Sequence, residues 1–265
     1  MLLQAFRANR KSTSIALKSA ILAGVSAGSL MGAAAHAQER APDTGFLVPE
    51  IIVTALKREE NANTVPMSIT AVTGEQLVRT GVKEVRDLTK VSPGFSYADS
   101  YVGSPIYTLR GIGFSDISLG GRSTVSLYLD QAPIPFAIEG RGVMMDLERV
   151  EVLKGPQGTL FGQNATGGAI NFIAAKPTPG FAAGIGASYG TFNASDLTGF
   201  ISGPLSETLG VRLAVQAIRS DPWQRSYTKS VENGAEDLQS ARLTVAWEPT
   251  AQLKIQVTLN GSIDK

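Results

Sequence analysis

Three stretches in the last third of the sequence alternate apolar and polar positions. Leu209, Val211, Leu213, Val215 and Ala217 interleave with Gly210, Arg212, Ala214, Gln216 and Ile218. Ala241, Leu243, Val245 and Trp247 interleave with Arg242, Thr244, Ala246 and Glu248, and Leu253, Ile255, Val257 and Leu259 with Lys254, Gln256, Thr258 and Asn260. A period of two with one greasy and one polar face predicts half-buried strands. Residues 184–189 and 197–202 predict two weaker ones. The connections differ in length. Residues 203–207 and 249–250 are short, whereas 220–237 is long, polar and carries Trp223 and Tyr227. Strands of about ten residues, tilted by about 40°, cross an apolar band of roughly 25 Å. A water-soluble β-sandwich would show the same alternation, with its greasy faces turned inward.

The middle of the chain mixes short strands with single helical turns. Residues 66–72 and 149–153 read as strands, as do 106–109 and 125–129. Thr73 is placed to cap a short helix over residues 74–79, with Gly81 as its stop. Val85, Leu88 and Val91 recur at spacing three and predict a short amphipathic helix over 83–91, ended by Pro93-Gly94. Asp130-Gln131-Ala132-Pro133 predicts a turn. The Gly-rich stretch 155–173 invites comparison with a phosphate-binding loop. It fails that test, because no Gly-Lys-Ser/Thr follows and no GxGxxG opens a helix. It reads instead as a tight turn system with close backbone approach.

The beginning has a different composition. Residues 1–37 carry Arg7, Arg10, Lys11 and Lys18 and no acid, then a small apolar run ending Ala35-His36-Ala37, the pattern of a secretory signal peptide with its cleavage site. Removing it takes away four of 24 basic residues and none of 23 acidic ones, and it removes the only histidine. There is no cysteine. A mature chain without His or Cys excludes Ser-His-Asp and Cys-His catalysis and His- or Cys-ligated metal sites. The near-zero net charge argues against a nucleic-acid partner. After a polar, Pro-punctuated stretch to Pro49 comes Glu50-Ile51-Ile52-Val53-Thr54-Ala55, followed by the charged run Lys57-Arg58-Glu59-Glu60. This β-branched hexamer has high strand propensity and no evident local partner. Two readings stay open: a strand added to the edge of another protein's sheet, or the first strand of the domain.

Several of these segments, in this order, resemble the TonB-dependent outer-membrane receptors. They are residues 50–55, Leu109-Arg110-Gly111-Ile112-Gly113, Tyr128-Leu129-Asp130, Arg149-Val150-Glu151-Val152-Leu153-Lys154-Gly155-Pro156-Gln157-Gly158 and Asn164-Ala165-Thr166-Gly167-Gly168-Ala169-Ile170-Asn171. The resemblance covers roughly residues 50–265. It implies a mixed α+β plug domain followed by antiparallel strands of an incomplete transmembrane β-barrel. The division it implies is a signal peptide over 1–37, a periplasmic arm over 38–62, a plug over 63–177 and the first barrel strands over 181–265. Glu50, Ile51, Ile52, Val53, Thr54 and Ala55 match the TonB box. Arg110, Arg149 and Glu151 fall where the family makes plug–barrel contacts. The barrel glutamates expected to meet the two arginines lie on late strands absent from this sequence.

The function implied is energised uptake of a bulky nutrient, foremost a ferric siderophore or similar iron complex. The partners implied are TonB with its ExbB/ExbD energy supply, outer-membrane lipid and the nutrient ligand. Plug and arm would face the periplasm. Tyr97, Tyr101, Tyr107 and Phe114 fall in loop-like stretches near the expected plug apices, where aromatic rings could stack on a ligand or simply pack. No catalytic residue, metal site or cofactor is expected. Paired acids such as Asp146 and Glu148, or Glu59 and Glu60, are the only sequence support for an enzyme. The alternatives are a non-transporting outer-membrane or structural β protein and an inactive truncated receptor. Five strands leave an open sheet whose edges would be residues 183–190 and 252–260. The reading fails if residues 65–175 form a helical bundle, or if residues 183–260 close into a sandwich with apolar side chains inside.

Overall fold

A computed structural model describes residues 51–55, 57–100, 103–114, 123–228, 230 and 232–264. The signal peptide, Glu50 and Tyr101 lie outside the described residues. The chain runs through β1 (Ile52–Val53), β2 (Glu60–Asn61), β3 (Ile69–Thr73), α1 (Gly74–Arg79), a 3-10 turn (Val85–Lys90), β4 (Phe95–Asp99), β5 (Pro105–Leu109), β6 (Ile112–Gly113), β7 (Val125–Leu129) and β8 (Ala132–Ile134). A second 3-10 turn (Ala137–Gly140), β9 (Leu147–Lys154), α2 (Gly158–Phe161) and β10 (Gly168–Ala174) complete the first half. Then follow β11 (Ala182–Tyr189), β12 (Ser195–Ser206), β13 (Leu209–Ser220), β14 (Gln224–Arg225), β15 (Glu232–Asn233), β16 (Glu236–Thr250) and β17 (Leu253–Asp264).

The first half is built on a five-stranded mixed sheet in the order β3-β9-β10-β7-β8. Strand β10 runs parallel to β7 and antiparallel to β9. Side chains of the middle strands part to two cores. Val150, Val152, Ile170 and Phe172 join Leu77, Val85, Leu88 and Leu109 on one side. Leu153 and Ala169 join Val53, Ala55, Val65, Tyr128 and Phe161 on the other. Every residue of β10 is buried, so its sequence shows no period of two. Gly168 makes this register possible. A Cβ there would stand 2.3 Å from the Leu153 carbonyl oxygen, and its φ is +145°.

Local chemistry accounts for the boundaries. The Thr73 hydroxyl accepts from the Gln76 N–H while the Gln76 side chain accepts from the Thr73 N–H, a reciprocal capping box. Gly81, at φ +65°, ends the segment as expected, and Val82 N–H closes back on the Leu77 carbonyl at 2.9 Å. The expected helix over 83–91 is a 3-10 turn, with Val85 and Leu88 buried. Spacing three is the 3-10 repeat, in which residues i and i+3 eclipse. The turn expected over Asp130–Pro133 shrinks to Asp130 and Gln131, both at positive φ, joining β7 to β8 as a two-residue hairpin. Arg110 and Gly111, at φ +51° and +80°, do the same between β5 and β6.

The second half is one antiparallel sheet ordered β11-β12-β13-β16-β17, with β11 and β17 at its edges. Two-residue turns join β12 to β13 and β16 to β17, while residues 221–235, with the small β14–β15 hairpin, form the long connection at the other end. The sheet's polarity is inverted relative to a soluble sandwich. Ser202, Arg212, Ser240, Arg242 and Thr244 are buried, whereas Leu197, Ile201, Leu213, Val215, Trp247, Val257 and Leu259 are exposed. The first half lies against the polar face, closely enough that a Cβ on Gly142 would come within 2.9 Å of Ser240 Oγ. This is the arrangement expected of barrel staves around a plug. Among the described residues no helix is long and apolar enough to cross a membrane, which says nothing of strands.

Candidate functional site

Two places in this fold carry chemistry. The first is the seat of residues 51–55. Ile52 and Val53 pair antiparallel with Asn61 and Glu60, and Ala62 N–H donates to the Ile51 carbonyl at 2.9 Å. The expectation that this segment lacks a local partner is therefore corrected. Lys57 adopts φ +58°, and its N–H donates to the Thr54 carbonyl, so the chain turns back on itself at once. Strand alternation sends Val53 and Ala55 into the second core and Thr54 to the other side.

Thr54 meets Glu151, which is 0% exposed. The Thr54 N–H donates to Glu151 Oε1 at 2.8 Å, and its hydroxyl lies 3.2 Å from both carboxylate oxygens. Arg149 Nε donates to the same Oε1 at 2.8 Å, and its Nη1 reaches Glu148. Asn171, paired with Glu151 across β9 and β10, donates to Thr54 Oγ1 at 3.4 Å and accepts from Gln131 N–H at 3.1 Å. A buried carboxylate is held by one cation and two donors from a single threonine, the kind of satisfaction a buried charge requires.

The second place is a cavity of about 590 Å³ between plug and sheet, at the end of the sheet that carries the long connection. From the plug it is lined by Lys83, Glu84, Arg86, Tyr97, Asp99, Tyr107 and Arg141, and from the sheet and its long connection by Gln216, Ile218, Trp223, Glu236 and Asp264. Its cations are all paired: Arg86 with Glu84 at 2.6 Å and Glu236 at 3.0 Å, Lys83 with Asp196 at 2.9 Å, and Arg141 with Asp264 at 2.7 Å. Burial pushes the Glu84 carboxyl above its ordinary range, outweighing the opposing Arg86, and Glu236 and Asp87 push it the same way. Burial, reinforced by the hydrogen bond the phenol donates to Asp99 at 2.6 Å, pushes Tyr97 up to about 12. Burial raises Tyr107 as well.

The predicted site residues are placed as follows. Tyr97 and Tyr107 are not loop residues but directly paired strand residues of β4 and β5. Tyr107 is 3% exposed and donates to the Ala137 carbonyl, so its ring belongs to the core and only Tyr97 is half-open to the cavity. Phe114 is exposed and does not line the cavity. Arg110 donates to Ser68 Oγ at 2.6 Å, and Arg149 pairs with Glu148 and Glu151. Among the described residues neither arginine meets a carboxylate of the second sheet. Sequence reasoning missed the contacts that do join the two halves. Arg212 grips Asp146 with two hydrogen bonds of 2.5 and 2.7 Å, and Arg242 donates to the Met145 carbonyl at 2.6 Å. The signal was present as cations on the polar face of an alternating strand, a costly place for charge unless something covers it. Asp146 and Glu148, the carboxylates considered for acid–base work, are both engaged by arginines.

Residues 61–169 match the family model of the TonB-dependent receptor plug domain. The chain is 36% identical to the pesticin receptor of Yersinia pestis over 161 residues, which is 57% of this chain and 22% of that protein. It is 28% identical to the ferripyoverdine receptor of Pseudomonas aeruginosa over 64% of this chain and 20% of that protein. The chain thus spans about a fifth of the length of these relatives. Among solved structures, its fold resembles the ferric yersiniabactin uptake receptor of Yersinia pestis, with a TM-score of 0.67 at 24% identity over 74% of this chain and 31% of that one. The pyoverdine outer-membrane receptor of Pseudomonas aeruginosa also gives a TM-score of 0.67, at 19% identity over 80% of this chain and 30% of that one. With a plug matched in sequence, a second sheet that turns its polar face to it, and relatives of this kind, residues 61–169 are a TonB-dependent receptor plug domain and the chain is similar to the N-terminal portion of the TonB-dependent receptors.

Proposed function

We propose that this chain serves TonB-driven uptake of an iron–siderophore complex across an outer membrane. The observation that carries the proposal is the inverted second sheet, apolar outside and polar inside, with the plug seated on its polar face. Water on both sides would give such a sheet no reason to expose its aliphatic face, whereas lipid would. The printed names of the relatives support the class of cargo: a pesticin receptor, a ferripyoverdine receptor and an iron-regulated outer membrane virulence protein of Vibrio cholerae, the last 25% identical over 252 residues.

In this reading residues 1–37 direct export, 38–62 form the periplasmic arm, 63–177 the plug and 181–265 the first staves. Residues 50–55 bind TonB as an added strand, with ExbB/ExbD supplying energy. Arg110 and Arg149, with Glu151, are the plug's candidates for contact with the barrel wall. The cargo enters on the side of the long connections, where Tyr97, Trp223 and the paired charges line the cavity. Binding and gating suffice, and no bond of the cargo need break.

The test is capture of the full chain by a purified TonB C-terminal domain, with and without Ile52→Pro, together with growth on single ferric siderophores as iron source. Proline removes the ladder donor of the arm. Capture lost in the variant, and growth restored by one siderophore class, are the expected results. Capture unaffected by the variant removes residues 50–55 from the mechanism.

A further inference from the structure

We infer that Glu151 is a latch that keeps the arm folded into the plug and out of reach of its partner. The inference rests on the proposed reading of residues 50–55 only for what the arm binds, not for how it is held. Adding to another protein's sheet requires free backbone N–H and C=O groups. In this structure several of those groups are already used. The Thr54 N–H is spent on Glu151 Oε1, its carbonyl on Lys57 N–H, and the Ile51 carbonyl on Ala62 N–H. Val53 and Ala55 are both 0% exposed. Held in this way the Thr54 end of the arm cannot add to another sheet, so pairing along the whole segment must first withdraw it.

What resists withdrawal is localised. Strand β1 pairs with β2 over only two residues, a ladder too short to hold by itself. The apolar contribution is Val53 and Ala55, with Ile51 half-buried beside them. Glu151 is the buried charge that grips the arm, through both the amide and the hydroxyl of Thr54. It is held for that task by Arg149, while Asn171 steadies the same hydroxyl. Withdrawing Thr54 strips a buried carboxylate of its two neutral donors, leaving Arg149 as its partner, and that asymmetry favours the folded arm. Asn171 also accepts from Gln131 N–H, in the turn of the β7–β8 hairpin. The chain leaving that hairpin carries Gly140 and Arg141 to the cavity wall. One segment of chain therefore runs from the latch to the cavity wall.

The absence of cysteine makes a direct test possible. Ala55→Cys places a single thiol at a fully buried site of the arm, whose reaction with a bulky maleimide reports withdrawal without reference to any partner. In the full chain, held in membranes of the expressing host, this arm thiol should react slowly. Adding Glu151→Ala should accelerate it by about tenfold or more, the size of effect that losing hydrogen bonds to a charged group produces. Thr54→Val, which keeps the β-branched shape and removes the hydroxyl, should accelerate it by a smaller factor. Val152→Cys, a buried thiol on the same strand β9, should stay protected in both backgrounds. Unchanged reactivity of the arm thiol in both variants overturns the latch. A β9 thiol that reacts in step with the arm thiol also overturns it, because the plug rather than the arm would then be opening. Faster labelling of the arm without increased capture by TonB upholds the latch and removes the assignment of the arm's partner. Capture that depends on Ile52 with labelling indifferent to Glu151 does the reverse.

Discussion

Replacing Val215 by lysine tests the orientation of the second sheet. Val215 is the seventh of twelve residues in β13, close to the middle of the stave, and it is 48% exposed on the apolar face. At about 3.4 Å per residue and a tilt of about 40°, that position falls near the centre of an apolar band roughly 25 Å thick. A lysine there should cost about 2–4 kcal/mol. At about 1.4 kcal/mol per tenfold, this shifts the folding equilibrium by roughly 30-fold to several-hundred-fold. The neighbouring Gln216 is the internal control. It points to the opposite face, donating to Asp196 Oδ1 at 3.3 Å, so Gln216→Lys meets a carboxylate and should stay within about 0.5 kcal/mol of the parent. The assay is urea unfolding of each full chain in lipid vesicles, followed by the fluorescence of Trp223 and Trp247. A large loss for Val215→Lys with little change for Gln216→Lys is expected. Equal responses, or a tolerated lysine at 215, would refute the lipid-facing assignment.

Asp146→Ala removes the partner of Arg212, whose guanidinium is almost fully buried; breaking such a pair should cost about 3–5 kcal/mol, read as a lower urea midpoint, and Asp146→Ala with Arg212→Met should recover part of it. Gly168→Ala forces a Cβ to within 2.3 Å of the Leu153 carbonyl at φ +145°; it should shift β10 and lower plug stability far more than Gly158→Ala, where nothing lies within 4 Å. Thr73→Ala removes the hydroxyl half of the capping box and should cost about 1 kcal/mol. Tyr97 holds its proton up to about 12 in the folded chain against about 10 when unfolded. Its contribution to stability is therefore intact below about pH 10 and is lost as pH rises towards 12, so an absorbance titration should lose the component near pH 12 in Tyr97→Phe while the late titration of Tyr107 and Tyr128 remains.

How legible the molecule was depended on how many faces each element buries. The staves β13, β16 and β17 could be read directly because exposed apolar and plug-side polar residues alternate, as at Leu213 against Arg212. The same alternation would suit a sandwich, and only the exposure of Val215 and burial of Thr244 decide between them. Strand β10 was hidden because both of its faces are covered, so 168–174 looks like a glycine-rich linker. Strand β4 was hidden because Phe95 alone of its five residues is buried. Residues 51–55 were ambiguous for a physical reason as well. A β-branched hexamer suits a foreign sheet and its own core equally, and the decisive partner, Glu151, lies 97 positions away.

The contacts between the two halves add something that no local pattern contains. At the cavity end the plug contributes the cations and the staves the acids: Lys83 to Asp196, Arg86 to Glu236, Arg141 to Asp264. Deeper in, the polarity reverses, and Arg212 and Arg242 of the staves meet Asp146 and the carbonyls of Val143 and Met145. The two levels therefore tie plug and sheet together with pairs of opposite sense. The two levels also differ in strength. The upper pairs are half-exposed and open to water, where such bridges contribute little. The lower pair is nearly dry, with side chains 8% and 13% exposed, and removing either partner strands a buried charge. On the proposed reading, a cargo entering the cavity meets the layer of contacts that yields most readily, while the segment around Asp146 keeps the plug on its wall.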